Sequence, residues 1–333
     1  MNKTFKIVWN NSIGSYTVVS ELTKSKSKGA TCTTVAAVML LAASQALAGT
    51  GTTTSGGNPV PAGAGYKSCY FDDVTKNAVC GDATTTATST NSIAVGEGAK
   101  ATDRQSIAIG NKTEATGWQS IVIGSNDPKT NIVAKVTGTQ SLAIGWTAQA
   151  TGATQSVAIG PDAQALGAQS TSIGNNTRAK GDSSIAIGGD DWNIVRTKPV
   201  AAAGNKQVHE VFKELTGMEM PADSVSTFKG TTSADVAVAV GVKAYAEGVL
   251  STAFGSGTSA TGLAASAFGA GASASKDESV AIGAGSNTSM DAAAITTATV
   301  NGITYNRFAG ATNITAGSQV SVGRPGQERQ IKH

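Results

Sequence analysis

The hexapeptide Gln105-Ser-Ile-Ala-Ile-Gly110 recurs with small changes along most of the chain. Most of the steps between the copies are 14 residues long. Self-similarity at a fixed period indicates a repeat architecture. The glycines that close the copies are Gly96, Gly110, Gly124, Gly145, Gly160, Gly174 and Gly188, followed by Gly241, Gly255, Gly269 and Gly283.

Each copy alternates a branched residue with a small one, as Ile107, Ala108 and Ile109 do. Alternation with a period of two is typical of a β-strand. Fourteen residues are too few for a strand, a helix and two loops, so each copy predicts one coil. The fold class is therefore all-β: a parallel β-roll of 14-residue coils over residues 89–188 and 238–288, with Ile and Val inside.

A coil this short encloses little apolar volume, and one face of each strand carries only alanine. Repeats that cannot bury their apolar faces alone stack or associate. We therefore expect self-association through the alanine face. The alanines predicted to face neighbouring chains are Ala94, Ala108, Ala143, Ala158 and Ala186.

The composition favours thin packing by small residues over one large core. Charged residues are 14% and aromatic residues 5% of the chain, which has 40 glycines in 333 residues. Residues 1–48 hold five lysines and one glutamate, and the remainder holds 20 basic and 21 acidic residues. The net charge of the remainder is thus close to zero, so nothing in it indicates a nucleic-acid partner.

The N-terminal segment, residues 1–48, predicts an export signal. Basic residues precede the apolar run 35–43, and Ala46-Leu-Ala48 forms a small-x-small site with cleavage between Ala48 and Gly49. The apolar run is too short for a transmembrane helix. Residues 49–88 are interpreted as a lead-in, in which Cys69 and Cys80 form a disulfide in an oxidising compartment.

Two insertions interrupt the repeat. The shorter, around 127–136, predicts a surface loop or small hairpin. The longer fills 189–237 and contains an amphipathic pattern that predicts a helix over 205–216, with Asn205 as N-cap and Gly217 as C-cap. Insertions of this kind map to loops on one face of a repeat, often the face that meets partners.

The repeats, the long N-terminal signal and the ending Val320-Ser-Val-Gly323 with Glu328-Arg-Gln-Ile331 together resemble trimeric autotransporter adhesins with a YadA-like head. The resemblance implies a homotrimer of left-handed parallel β-rolls, displayed at the cell surface and anchored in the outer membrane. It implies a connector over 289–318 and the start of a neck over 319–333, with Val320, Gly323, Glu328, Arg329, Gln330 and Ile331 as neck residues. By the same resemblance, this sequence is a head without its stalk and anchor.

The sequence predicts no enzyme, no cofactor and no metal site. Its two histidines, His209 and His333, have no catalytic neighbours, and Asp190-Asp191 is interpreted as a turn in preference to a cation site. Two other β-solenoid classes fit less well. Acyltransferase solenoids have a period of about six, and an ice-binding solenoid needs regular Thr-x-Thr ranks, whereas threonine here is not in register with the repeat.

The resemblance implies adhesion to extracellular matrix proteins of the collagen, fibronectin or laminin class, and attachment between cells. The alternative is a purely structural exported spacer that projects another binding domain. Three tryptophans beside turn glycines, where the pattern predicts exposure, are candidates for binding a partner, and packing on a neighbouring coil or chain is the alternative. The candidate adhesive residues are Ser156, Val157, Ala158, Ile159 and Gly160, Ser279, Val280, Ala281, Ile282 and Gly283, and Trp118, Trp146 and Trp192.

Overall fold

The structure is a computed structural model that describes residues 5–10, 15–20, 68–220, 222, 230–307 and 313–332. The chain divides into two units, residues 1–50 and 51–333. In the first unit, Phe5–Asn10 and Ser15–Ser20 form an antiparallel pair. The cleavage site at Ala48 and Gly49, the apolar run before it and the lead-in up to residue 67 lie outside the described residues.

The second unit is a parallel β-solenoid, which confirms the predicted fold class. Its coils contribute strands to two sheets, here called sheet A and sheet B, and each sheet follows chain order. Sheet A contains Ser68–Asp72, Asn77–Gly81, Ile93–Val95, Ile107–Ile109, Ile121–Ser125, Leu142–Trp146, Val157–Ile159, Thr171–Gly174, Ile185–Gly189, Val238–Val242, Thr252–Phe254, Ser266–Phe268, Val280–Ile282 and Val320–Ser321. Sheet B contains Thr86–Ala87, Lys100–Ala101, Glu114–Ala115, Lys135–Val136, Gln149–Ala150, Gln164–Ala165, Arg178–Ala179, Thr232–Ser233, Tyr245–Ala246, Ser259–Ala260 and Ser273–Ala274.

The ladder keeps its register across both insertions. Ile121 pairs with Ile107 on one side and with Leu142 on the other, although the shorter insertion lies between Ile121 and Leu142. Ile185 pairs directly with Val238 across the longer insertion. The two predicted roll segments are therefore one continuous ladder from which the insertions loop out.

The interior of the solenoid consists mainly of alanine, with serine and threonine, so the predicted burial of the Ile and Val rows was wrong. Ala94, Ala108, Ala143, Ala158 and Ala186 are all 0% exposed within a single chain, and they cannot face neighbouring chains as predicted. Period-two alternation places Ile and Ala on opposite faces but does not say which face is inside. The short coil encloses a thin interior, and in most coils small residues meet across it. The largest interior residues of the coils, Val122 and Val136, flank the shorter insertion.

The closing glycines keep the coils this close together. A Cβ atom on Gly110 would lie 1.7 Å from the carbonyl oxygen of Gly124, one coil further on. Gly110 also has φ +124°, in a region that L side chains rarely adopt. Glycine is thus required at this position both by backbone conformation and by contact with the next coil.

The ladder begins earlier than predicted. Ser68–Asp72 and Asn77–Gly81 form an antiparallel hairpin in which Cys69 lies opposite Cys80, and these two residues are joined in a disulfide. The second strand of this hairpin also pairs parallel with Ile93–Val95. The lead-in boundary at residue 88 is therefore wrong, because the ladder includes residues from Asn77 onward.

The described part of the longer insertion, which leaves out residues 221 and 223–229, contains two helices, α1 (Asn193–Arg196) and α2 (Val208–Thr216), and the short 3-10 turn Ala201–Ala203. A two-residue pairing of Pro199–Val200 with Lys206–Gln207 precedes α2. In the part of the chain that the structure describes, neither helix is long and apolar enough to cross a membrane.

Helix α2 starts three residues later than predicted. Asn205 has φ +62° and lies in the preceding turn, while Gln207 is the N-cap. The Glu210 carboxylate accepts a hydrogen bond from the Gln207 backbone N–H at 2.6 Å, so it satisfies a free donor at the helix start. Gly217 is the left-handed C-cap.

After the last regular coil, the chain forms the hairpin Thr297–Val300 and Ile303–Asn306 within the connector, and then returns to sheet A. There, Val320 pairs parallel with Val280. Gly323–Arg324 and Gln327–Glu328 follow as a tight antiparallel pair.

Candidate adhesive surface

The outer face of sheet A is an apolar stripe that extends over the coils. The first and third residues of each strand point outward, since the middle residue is buried. We call the third-position row the apolar face. The members of this row with large exposed side chains, which are between 36% and 55% exposed, are Ile109, Ile123, Ile144, Ile187, Phe254, Phe268 and Ile282.

The outer face of sheet B is polar over the same coils. Lys100 and Glu114, in neighbouring strands, form an ion pair at 3.1 Å, and Lys135 is the next residue in the row. The two outer faces of the solenoid therefore differ in character. Apolar surface that remains in contact with water marks an interaction site more often than polar surface does.

The Ser-Val-Ala-Ile-Gly coils present only part of their motif. Ser156 and Ala158 are 0% exposed, and the Ser156 hydroxyl bonds to the hydroxyl of Ser141 at 3.1 Å. Val157 and Ile159 are half-buried on the outer face of sheet A, where the sequence predicted them to be inside. The second motif repeats this arrangement: Ser279 and Ala281 are buried, whereas Val280 and Ile282 point outward.

The closing glycines of these motifs, Gly160 and Gly283, have φ +124° and +102°. These glycines adopt the backbone conformation of the turn, and the buried serine and alanine of each motif pack in the interior. The motif residues that can reach a partner are therefore only the outward pair of each coil, Val157 with Ile159 and Val280 with Ile282.

Two of the three candidate tryptophans are exposed. Trp118 is 41% exposed and lies at the turn before sheet A, and Trp146 is 42% exposed and ends the sheet A strand Leu142–Trp146. Trp192 is 6% exposed, so its predicted exposure was wrong. It packs on Phe212 with ring centroids 5.6 Å apart, and its indole N–H donates to the Ser256 hydroxyl at 3.1 Å.

The insertion that contains Trp192 lies against the turns of the last regular coils. A Cβ on Gly257 would lie 3.2 Å from the Phe212 ring, and one on Gly271 would lie 2.8 Å from the Thr216 side chain. A Cβ on Gly285 would lie 2.6 Å from the Thr216 backbone. Glycines at 14-residue spacing therefore leave the space in which α2 packs against the turns.

Sequence reasoning missed a row of glutamine side chains at the turn before sheet A. These side chains bond to one another along the solenoid, from Gln119 to Gln105 at 2.9 Å and from Gln140 to Gln119 at 3.0 Å. The backbone is left-handed at each position, with φ near +55°. The signal was present in the sequence, because glutamine precedes the serine of most copies. The row, here called the glutamine ladder, is Gln105, Gln119, Gln140, Gln155 and Gln169.

Threonine is in register with the repeat, contrary to the sequence analysis. Thr88 donates to the backbone of Thr102 at 3.3 Å, and Thr137 donates to Thr151 at 3.4 Å. These threonines occupy the position directly after a strand of sheet B. The outward-facing position of the same strands holds charged residues such as Lys100 and Glu114. The solenoid therefore presents one row of threonines, and the Thr-x-Thr pattern of Thr86 and Thr88 in the first coil does not continue, because Lys100 and Glu114 follow Thr86 in its row.

Side-chain amides donate hydrogen bonds to the first acid of the Asp190-Asp191 turn. Asp190 is 1% exposed and accepts hydrogen bonds from the side chains of Asn175 at 2.8 Å and Asn176 at 2.7 Å. Among the described residues, no group of three His, Cys, Asp or Glu residues could hold a metal ion. His209 bonds through Nδ1 to the backbone oxygen of Arg196 at 3.0 Å.

Asp82 shapes the turn of the first coil. Its carboxylate accepts hydrogen bonds from the Thr84 hydroxyl at 2.8 Å, the Gly98 N–H at 3.1 Å and the Thr85 hydroxyl at 3.0 Å. These donors, with Thr84 first, lower the pKa of Asp82 to about 2. The charged carboxylate therefore joins the first coil to the second at neutral pH.

The predicted neck residues lie at the C-terminal end of the ladder. Val320 is in sheet A and Gly323 is in the short antiparallel pair, together with Glu328. Arg329 donates to the Ser286 hydroxyl at 3.0 Å and to the Ala284 backbone at 2.7 Å, so it ties this end to the last regular coil. Gln330 and Ile331 are exposed, and a neck role for these residues remains a prediction.

Two family models match the chain. The Extended Signal Peptide of Type V secretion system matches residues 1–50. The YadA head domain repeat matches residues 87–113, 104–126, 137–163, 153–177, 165–190, 234–258 and 260–286, so that its gaps fall on the two insertions. The chain belongs to the trimeric autotransporter adhesins with a YadA-like head.

Membership assigns a role to both matched regions: residues 1–50 are a type V export signal, and the solenoid is the head of a surface adhesin. No curated protein matches the chain.

Proposed function

We propose that this adhesin head assembles as a homotrimer through the apolar face and attaches cells to extracellular matrix proteins, without catalysis. The observation that carries the proposal is the apolar face itself, whose large side chains remain 36–55% exposed in the single chain. Family membership supports three copies. Closed cyclic assembly would cover the same surface on every chain.

The corrected orientation changes which residues serve which role. Val157 and Ile159, with Val280 and Ile282, would contact neighbouring chains, because they belong to sheet A. Trp118, at a turn, and Trp146, at the end of a sheet A strand, are the candidates for matrix contact. Three copies of a weak site would bind a repetitive fibre chiefly by avidity. Collagen, fibronectin and laminin are the proposed ligand class, and attachment at the outer surface of the cell is the proposed location.

Assembly is tested with two substitutions in one coil. Ile159→Glu places a charge on the apolar face, and Gln164→Glu places one on the outer face of sheet B. A desolvated, unpaired charge in an interface is strongly destabilising, so we expect the Ile159 variant to sediment as a folded monomer and the Gln164 variant to match the wild type. An unchanged sedimentation coefficient for Ile159→Glu would refute assembly through this face.

Adhesion is tested on immobilised collagen, fibronectin and laminin. We expect the wild-type trimer to be retained far longer than the Ile159→Glu monomer, and Trp118→Ala with Trp146→Ala to weaken retention without changing the oligomeric state. If neither trimer nor monomer binds any of these matrix proteins, the head is a structural spacer for another binding domain.

A further inference from the structure

The edge that carries the glutamine ladder becomes aliphatic after the longer insertion. Val236 and Leu250 occupy the positions that glutamine holds in earlier coils, and Val249 and Leu263 occupy the preceding positions. Backbone hydrogen bonds from Leu250 to Asp235 at 3.0 Å and from Ala264 to Val249 at 2.9 Å hold these residues in adjacent coils. Val236, Val249, Leu250 and Leu263, here called the aliphatic corner, are 51%, 44%, 54% and 48% exposed.

The backbone at the aliphatic corner does not suit these residue types. Val236 has φ +52° and Leu250 has φ +61°. The left-handed region is tolerated by Asn and is unfavourable for a β-branched residue. Neither side chain gains full burial within the chain in return. The stability of the single chain therefore does not explain these residues.

A groove adjoins the aliphatic corner at the end of sheet B. The position directly after each strand of sheet B is occupied in three successive coils by Lys180, Ala234 and Glu247. Their backbone N–H groups donate to the carbonyl groups of Ser233, Ala246 and Ala260 in the next coil. The small side chain of Ala234 leaves a gap between its longer neighbours. The resulting groove has a volume of about 280 Å³, and Asp235 and Val249 also line it.

Lys180 lines one end of the groove, and the other exposed charges around the groove and corner are mostly acidic. The Asp235 carboxylate accepts the Asp182 N–H at 2.9 Å, and the Asp277 carboxylate accepts the Leu263 N–H at 2.9 Å, so both acids adjoin the corner. The nearby Lys276 is paired with Asp291 at 2.7 Å. Exposed acidic side chains beside an aliphatic surface match a partner that combines apolar and basic groups. The exposed acids are Asp182, Asp235, Glu247, Asp277 and Glu278.

We propose that the aliphatic corner and its groove bind an extended peptide segment of another protein, in which aliphatic side chains alternate with lysine or arginine. An aliphatic side chain of the peptide enters the groove over Ala234, and a basic neighbour meets Asp235. Pockets that accept alternate side chains of an extended segment are a common mode of peptide recognition. This site uses neither the apolar face nor Trp118 and Trp146, so it goes beyond the proposed matrix adhesion.

The test uses the whole exported chain and a fluorescein-labelled peptide of alternating leucine and lysine. Two further peptides replace leucine by serine or lysine by glutamate. We expect the Leu/Lys peptide to raise fluorescence anisotropy on binding, and each replacement to weaken binding at least tenfold. Absence of binding by the Leu/Lys peptide, or equal binding of all three peptides, would overturn the proposal.

The matched variant is Val236→Asn combined with Leu250→Asn, which restores residues suited to a left-handed backbone. We expect at least tenfold weaker peptide binding and a melting temperature that does not fall. Gln119→Asn, at an equivalent position of the glutamine ladder, should leave binding unchanged. Undiminished binding by the double variant would refute the site. A change in its sedimentation would instead assign the corner to contacts between copies of the chain, which also overturns the proposal.

Discussion

Gly110→Ala should destabilise the solenoid far more than an ordinary glycine substitution. The new Cβ would lie 1.7 Å from the carbonyl oxygen of Gly124, which belongs to the backbone of the next coil. Relief would require separation of two coils that are joined here by the pairing of Ile107–Ile109 with Ile121–Ser125 and by the Ile107 N–H bond to the Ser120 carbonyl at 2.9 Å. A residue held at an unsuitable φ costs about 1–3 kcal/mol, and overpacking typically costs about 1–3 kcal/mol more.

Together these effects predict a loss of roughly 2–6 kcal/mol. At about 2–4 °C per kcal/mol for a domain of this size, the melting temperature should fall by on the order of 10 °C. Gly189→Ala is the matched control, because no heavy atom lies within 4 Å of its Cβ position and its φ is not positive. The assay is thermal unfolding followed by circular dichroism at 218 nm, in the strand region of the spectrum. A Gly110 variant that melts within about 1 °C of the control would refute the close-contact reasoning.

Three further predictions follow from named contacts. The pKa of Asp82 is lowered in the folded chain, so the charged carboxylate should contribute its full stabilisation above the ordinary pKa near 4 and lose it as pH falls through about 2. The free energy of unfolding, measured from pH 5 to pH 2, should show this decline. In Asp82→Asn the pH dependence should be weaker. Phe212→Ala should cost about 3–5 kcal/mol of packing for the insertion, seen as faster proteolysis of residues 190–220 and a red shift in Trp192 emission. Ala158→Val should lower the melting temperature by an overpacking cost of about 1–3 kcal/mol, whereas Ile159→Val should change it by about a third of that or less in the monomer.

The repeat period and the strand alternation were sufficient to predict the coils, but not which face of the strand is inside. Ile107 and Ala108 necessarily point to opposite sides, and hydrophobicity alone favours burial of isoleucine. The interior is set by the distance between sheet A and sheet B, which follows from the length of the turns. At that distance alanine side chains fit between the sheets, whereas two opposed layers of isoleucine do not. The distance cannot be predicted from the alternation of residues within a strand.

Trp192 and the start of α2 illustrate a second reason for error. Trp192 follows a turn glycine, as exposed residues of the coils do, but Phe212 and Ser256 cover it from distant positions in the sequence. Asn205 is a good N-cap type, yet the pairing of Lys206–Gln207 with Pro199–Val200 moves the helix start to Val208. Both outcomes depend on tertiary contacts, which override local preference.

The reversed interior also bears on why such a head associates. Alanine contributes little burial per residue, while full burial of an isoleucine side chain is worth about 1.5–3 kcal/mol. In this solenoid the large apolar side chains lie outside, and Ile109, Ile144 and Phe268 still expose 36–40% of their surface. Much of the apolar contribution is thus left for contacts that the single chain does not make. A thin coil with a small-residue interior stacks compactly, and its branched residues remain outside, where they form the interface that we propose with a neighbouring copy.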